Sequence, residues 1–138
     1  MKKPYRDIIK NKYGGLCAYT GKPLGDDWQI DHIFPKCSYI WHQSEVTKNK
    51  LGVSFELNDI GNLVPTITII NHYKRALDLQ GFRKHMKDFH KRLAKLPKKT
   101  SVPQTERRIQ YMYKVAELFD ITPDKPFTGK FYFETIQE

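Results

Sequence analysis

Cysteine is scarce in this 138-residue chain: Cys17 and Cys37 are the only two, too few for a disulfide framework, and free thiols are the expectation. No apolar run approaches the ~20 residues of a membrane helix. The opening "MKKPYRDIIKNKY" has no apolar stretch of the signal-peptide kind. These absences point to a soluble, cytoplasmic protein with no membrane partner. Acidic residues are also few, 15 against 24 Lys and Arg, and the formal charge of +9 favours polyanions, nucleic acid first. A basic surface also serves solubility, so charge alone does not assign a partner. Internal repeats, low-complexity segments and composition shifts are absent, and 138 residues suit one hydrophobic core, so residues 1–138 are expected to form a single domain.

What is present reads as an α+β chain. Pro4 suits a first helical turn, Tyr5, Ile8 and Ile9 share a side, and Gly14-Gly15 stops the helix. "TGKPLGDDW" reads as turns, and Trp28, Ile30, Ile33 and Phe34 form a short β-type run that carries Asp31 and His32. Residues 35–58 lack periodicity and are expected to be a long excursion. Leu63 and Val64 predict a second short strand ended by Pro65, and Ile67, Ile70, Tyr73 or Lys74, and Leu77 recur at helical spacing. Phe82, Met86, Phe89, Leu93 and Leu96 predict an amphipathic helix over about 81–96. Residues 83–99 carry eight Lys or Arg and one acid, Asp88. A further helix is expected over about 103–119, with Ile109, Met112, Ala116 and Phe119 inward, and "GKFYFETI" reads as a closing strand.

Asp31-His32, Asn62, Asn71, His72 and Lys74-Arg75 form a polar constellation in this order of elements. A histidine of ordinary pKa, about 6.5, is partly free base near neutrality and can take a proton from water. A carboxylate and a side-chain amide oxygen are hard ligands suited to Mg²⁺ or Mn²⁺. Adjacent strand side chains point to opposite faces, so Asp31 and His32 are expected to divide these tasks.

"DHIFP", then "IGNLVP", then Asn71 nine positions after Asn62, resembles the HNH nuclease motif, the ββα-metal finger, over about residues 13–77. "CAYTGKPL" is similar to the segment before that motif in RNA-guided CRISPR effector nucleases, and "HIFP" with "IGNL" resembles HNH-like modules of modification-dependent restriction systems. The resemblance implies two short antiparallel strands and a helix, a finger core of about 26–77, embedded in a mostly helical domain. It implies His32 as general base, Asp31 and Asn71 as ligands of one Mg²⁺ or Mn²⁺, and Asn62 as the brace of the loop carrying the base. His72, adjacent to Asn71, keeps the ligand assignment open. It also implies hydrolysis of DNA, most readily double-stranded, to 5′-phosphate and 3′-hydroxyl ends, with a homodimer or partner subunit available for cutting both strands. Many members hold a structural zinc with two Cys-x-x-Cys pairs. Here those positions read Cys17, Thr20, Ile67 and Ile70, so no structural zinc is expected.

Lys74, Arg75, Lys84, Lys87, Lys91 and Lys95 are candidates for nucleic-acid binding, with Lys2, Lys3, Arg6, Lys10 and Lys12 beside them. Two alternatives accompany the nuclease reading: a non-catalytic nucleic-acid-binding module on the same scaffold, and a nuclease acting on RNA or branched DNA. His42, His85 and His90 are expected to take no catalytic part.

Overall fold

The computed structural model describes residues 3–53 and 55–136. Lys2 and the side chain of Lys3, two of the basic candidates, lie outside the described residues.

Helix α1 (Lys3–Lys10) continues into a 3₁₀ turn and stops at Gly14, whose φ of 64° no β-carbon opposes. Ile9 is buried and Tyr5 half-buried, but Ile8, expected beside them, is exposed. Strand β1 (Trp28–His32) pairs antiparallel with β2 (Leu63–Ile67), and Asp31 faces Val64 while His32 faces Leu63.

Pro65 does not end the second strand as its type suggested. Its carbonyl accepts from Ala18 N–H at 2.9 Å, away from β1. In an extended residue N and O lie on the same side, so the missing N–H breaks no rung with Ile30. The strand therefore runs on to Ile67 and passes directly into α3 (Thr68–Lys74). That helix ends at Arg75, a residue with φ 57°, so Leu77 falls beyond it.

The excursion contains a 3₁₀ turn at Tyr39–His42 and a short helix that its sequence did not signal, α2 (Glu45–Lys50), capped by Ser44, whose hydroxyl accepts from Thr47 N–H at 3.2 Å. The basic helix is two pieces, α4 (Leu79–Lys87) and α5 (Phe89–Ala94), which meet at Asp88. The apolar stripe survives the break: Phe82, Met86, Phe89 and Leu93 are all buried. Helix α6 (Pro103–Phe119) turns Ile109, Met112, Val115 and Ala116 inward.

The expected closing strand is instead a helical turn, α7 (Tyr132–Thr135). Glu134 accepts from Phe131 N–H at 2.9 Å and forks with Arg83 at 2.6 and 2.7 Å, which fixes the turn. Tyr132 and Phe133 N–H groups bond to Tyr19 and Ala18 carbonyls, and Phe131 and Phe133 enter the core.

One apolar cluster runs from Cys17 through Val64, Ile70 and the α4–α6 stripe to Phe133. The chain is thus a mixed α+β protein in which a two-stranded antiparallel sheet is set among helices. Cys17 and Ile70 lie within the cluster and Ile67 packs against it, while Cys37 is exposed.

Candidate active site

Asp31 and Gln29 alternate onto one face of β1, the face that α3 covers, and His32 lies on the other. Helix α3 meets that face one turn apart. Asn71 Nδ2 donates to Gln29 Oε1 at 2.7 Å, and Lys74 Nζ lies 3.0 Å from Asp31 Oδ2. His72 is exposed and makes no hydrogen bond to this face among the described residues, whereas Asn71 bonds to Gln29, which shares the face of Asp31.

Lys74 is a correction to the basic candidates. It has no exposed surface, and besides Asp31 its ammonium donates to the His32 carbonyl at 3.1 Å. A lysine so placed reaches no external phosphate. Tyr19 O–H donates to the same Asp31 oxygen at 2.7 Å. Burial, then the Asp31 charge and this hydrogen bond, push the Tyr19 hydroxyl well above its ordinary pKa, so it stays a donor.

The segment that brings Tyr19 there needs Gly21. Its φ is 74°, and a β-carbon would stand 2.7 Å from Tyr132 Cδ1.

Oδ2 of Asp31 thus holds two donors, whereas Oδ1 holds none among the described residues. The Asp31 side chain keeps 10% of its surface exposed. Asn71, donating through Nδ2, keeps its Oδ1 as an acceptor. A carboxylate oxygen and an amide oxygen on one face are a hard donor pair that fits Mg²⁺ or Mn²⁺, cations that keep most positions for water or phosphate. Among the described residues no cluster of three or more His, Cys, Asp or Glu accompanies them.

His32 is half-buried at the end of β1. Its Nε2 lies 2.9 Å from Asn58 Oδ1, an oxygen that can only accept, a contact that suits the tautomer with the proton on Nε2 and the lone pair on Nδ1.

Asn62 is completely buried and spends its whole side chain on the loop after His32. Its Oδ1 accepts from Phe34 N–H at 2.8 Å, and its amide donates to the carbonyls of Phe34 at 3.0 Å and Leu57 at 2.7 Å. Its own carbonyl accepts from Ile33 N–H at 2.9 Å. One side chain therefore ties the end of β1 to the segment bearing Asn58. Asn58 was not among the sequence candidates: it lies in an aperiodic stretch, and a lone Asn there signals only a turn.

Two N-terminal basic candidates are also used internally. Lys12 Nζ donates to the Ile60 and Leu63 carbonyls at 2.7 and 3.0 Å, and burial lowers its pKa. The Arg6 guanidinium stands 4.1 Å over the Trp28 ring. Lys10 is half-buried. Arg75, Lys84, Lys87, Lys91 and Lys95 are exposed, although Lys91 approaches Asp88 at 3.6 Å. His42 is exposed and His85 bonds to Tyr73 O–H at 3.1 Å, both away from Asp31 and His32 in their hydrogen bonding.

Comparison of the chain with protein-family models, curated proteins and solved structures found no match.

Proposed function

We propose that this protein is a metal-dependent endonuclease of the HNH kind, hydrolysing DNA phosphodiester bonds with His32 as general base. The observation that carries the reading is the division of labour around β1: Asp31 shares one face with Asn71, His32 stands on the other, and Asn62 clamps the loop between. The antiparallel pair β1 and β2, with α2 in the connection between them and α3 directly after β2, supports the reading as a ββα-metal finger.

In this reading a water beside His32 loses its proton to Nδ1 as its oxygen attacks phosphorus. The bond to the 3′-oxygen breaks, leaving a 5′-phosphate, and the 3′-oxygen takes a proton from solvent. Asn58 engages Nε2 and leaves Nδ1 as the acceptor, and Asn62 holds the backbone on both sides of that contact. Asp31 Oδ1 and Asn71 Oδ1 would hold one Mg²⁺ or Mn²⁺, which when bound supplies electrostatic stabilisation of the charge developing on the phosphate and leaving oxygens. Lys74 and Tyr19 keep the Asp31 carboxylate fixed through its other oxygen. The positions that bind zinc in many such fingers are taken here to be part of the apolar core, since Cys17 and Ile70 pack within it.

One observation favours a second reading, a binding module that cuts nothing: Lys74 already neutralises Asp31. Relaxation of supercoiled plasmid with and without Mg²⁺ or Mn²⁺ separates the two. Nicking that requires the cation supports the nuclease, and DNA binding without nicking supports the module.

A further inference from the structure

Beyond Asn71 the surface opens into two clefts, of about 560 and 550 Å³, which share Arg75 and Tyr111. The smaller is lined by Asn71, His72, Arg75 and Tyr111, so it begins at the candidate metal ligand itself. The larger runs from the end of α3 across α4 and α5 to α6, and its charged lining is Arg75, Arg92 and Arg108, with His85 beside them. Among the described residues no carboxylate lines either cleft.

We propose that these joined clefts are a nucleotide-phosphate site, in which Arg75 and Arg108 grip a phosphate ester of a nucleic-acid strand passing Asn71. Several observations converge on it. The cations that line the clefts are guanidinium, not ammonium, and the planar fork of guanidinium matches phosphate oxygens.

Arg92 is preorganised. It donates to the His85 carbonyl at 2.7 Å and to Tyr73 O–H at 3.5 Å, which fixes one positive charge in the floor. Arg75 and Arg108, by contrast, engage no hydrogen bond or ion pair through their side chains among the described residues, so two forks are unspent. Arg75 also holds a backbone conformation, φ 57° and ψ −135°, that a side chain with a β-carbon rarely adopts. Strain of that kind persists where the surroundings enforce it. Here it stops α3 one residue after Lys74 and leaves the Arg75 side chain lining both clefts.

Finally, burial and the positive charges of Arg92 and Arg75 lower the His85 pKa, a sign of unbalanced positive potential within the larger cleft. Tyr73 and Tyr111, with ring centroids 6.0 Å apart, supply hydroxyls and ring edges around the charges.

This inference deepens the nuclease reading by naming how the strand is held, and it rests on that reading for the direction in which the strand runs past Asn71. Its test needs no catalysis. The full chain and the Arg75→Gln/Arg108→Gln double variant are titrated in EDTA with fluorescent duplex DNA over a salt series, and separately with thymidine 5′-monophosphate. A Lys114→Gln/Lys125→Gln variant, of equal charge change on other exposed positions, serves as the charge-matched control.

A strand phosphate in the site predicts that the arginine pair flattens the logarithmic salt slope by about one unit and weakens DNA binding at least tenfold at low salt, well more than the lysine pair does. Loss of monophosphate binding with unchanged DNA binding would assign the site to a free nucleotide and overturn the strand assignment. Equal behaviour of the arginine and lysine double variants toward both probes would overturn the site altogether. Plasmid nicking by the wild type, measured separately with cation present, reports on the nuclease reading alone, so the two can fail independently.

Discussion

A lysine without exposed surface, set between a carboxylate and a backbone carbonyl, is tolerable only because both partners are in place. Lys74→Ala would strand the Asp31 charge in a buried site, and removing one partner of such a pair costs about 3–5 kcal/mol. Urea denaturation should therefore show a loss of that order. A loss under about 1 kcal/mol would mean that the pair behaves as an exposed one.

The same lysine marks where residue-level reading of the sequence stops. Its helical spacing with Ile67 and Ile70 could have placed it inward, but its charge is more readily assigned to solvent, and only the position of Asp31 across the sheet decides between them. Asp31, His32, Asn62 and Asn71 were legible because their order and spacing follow a pattern. Asn58 was not, because no local pattern ties it to His32, 26 residues away. Between the two neighbours on α3, it is Asn71 that bonds to Gln29 on the face of Asp31. Asn71→Ala should raise the Mg²⁺ concentration needed for half-maximal nicking roughly tenfold or more, in line with lost ligands elsewhere, and His72→Ala should leave it near wild type. The opposite ranking would give the ligand role to His72.

At the level of elements, side-chain periodicity located what is amphipathic and failed where hydrogen bonding decides. The stripe of Phe82, Met86, Phe89 and Leu93 holds across a helix break that it could not reveal, since Asp88 interrupts the backbone without shifting the buried face. The alternation of Phe131 and Phe133 reads as a strand, yet the pair is buried from a helical turn that Glu134 and Arg83 impose.

That turn has a signature in acid. Burial raises the Glu134 pKa, but the hydrogen bonds from Arg83 and Phe131 N–H and the Arg83 and Lys130 charges outweigh it, leaving the carboxyl below its ordinary 4.5. A folded pKa below the unfolded one gives stability that is present above the unfolded value and is lost as pH falls through the folded one. Denaturation at about pH 6 and about pH 3.5 should therefore show a smaller acid loss for Glu134→Gln than for wild type, although the variant starts less stable. Equal acid losses would remove Glu134 from the account.

Taken whole, the molecule spends its apolar residues on one cluster and turns much of its charge excess of +9 outward on α4, α5 and the α3–α6 clefts. The lysines at 84, 87, 91 and 95 are exposed along the two helices that carry the buried stripe, with Asp88 exposed among them, and this is charge that would be open to a polyanion. Some of the charge is not available to it: Lys12 and Lys74 are committed to carbonyls and to Asp31 within the fold. Net charge in the sequence could indicate the class of partner, but which cations face it depends on long-range packing.

The central claim is that His32 takes a proton from water at a phosphodiester, and it is tested most directly by the rate of Mg²⁺- or Mn²⁺-dependent plasmid nicking by wild type and His32→Ala, with DNA affinity and folded state measured on both. The account predicts cation-dependent nicking by the wild type and a fall of about 10²–10⁴-fold in the variant, with binding and fold retained. Nicking by His32→Ala at near the wild-type rate, or a wild type that binds DNA and cuts none with either cation, would contradict it.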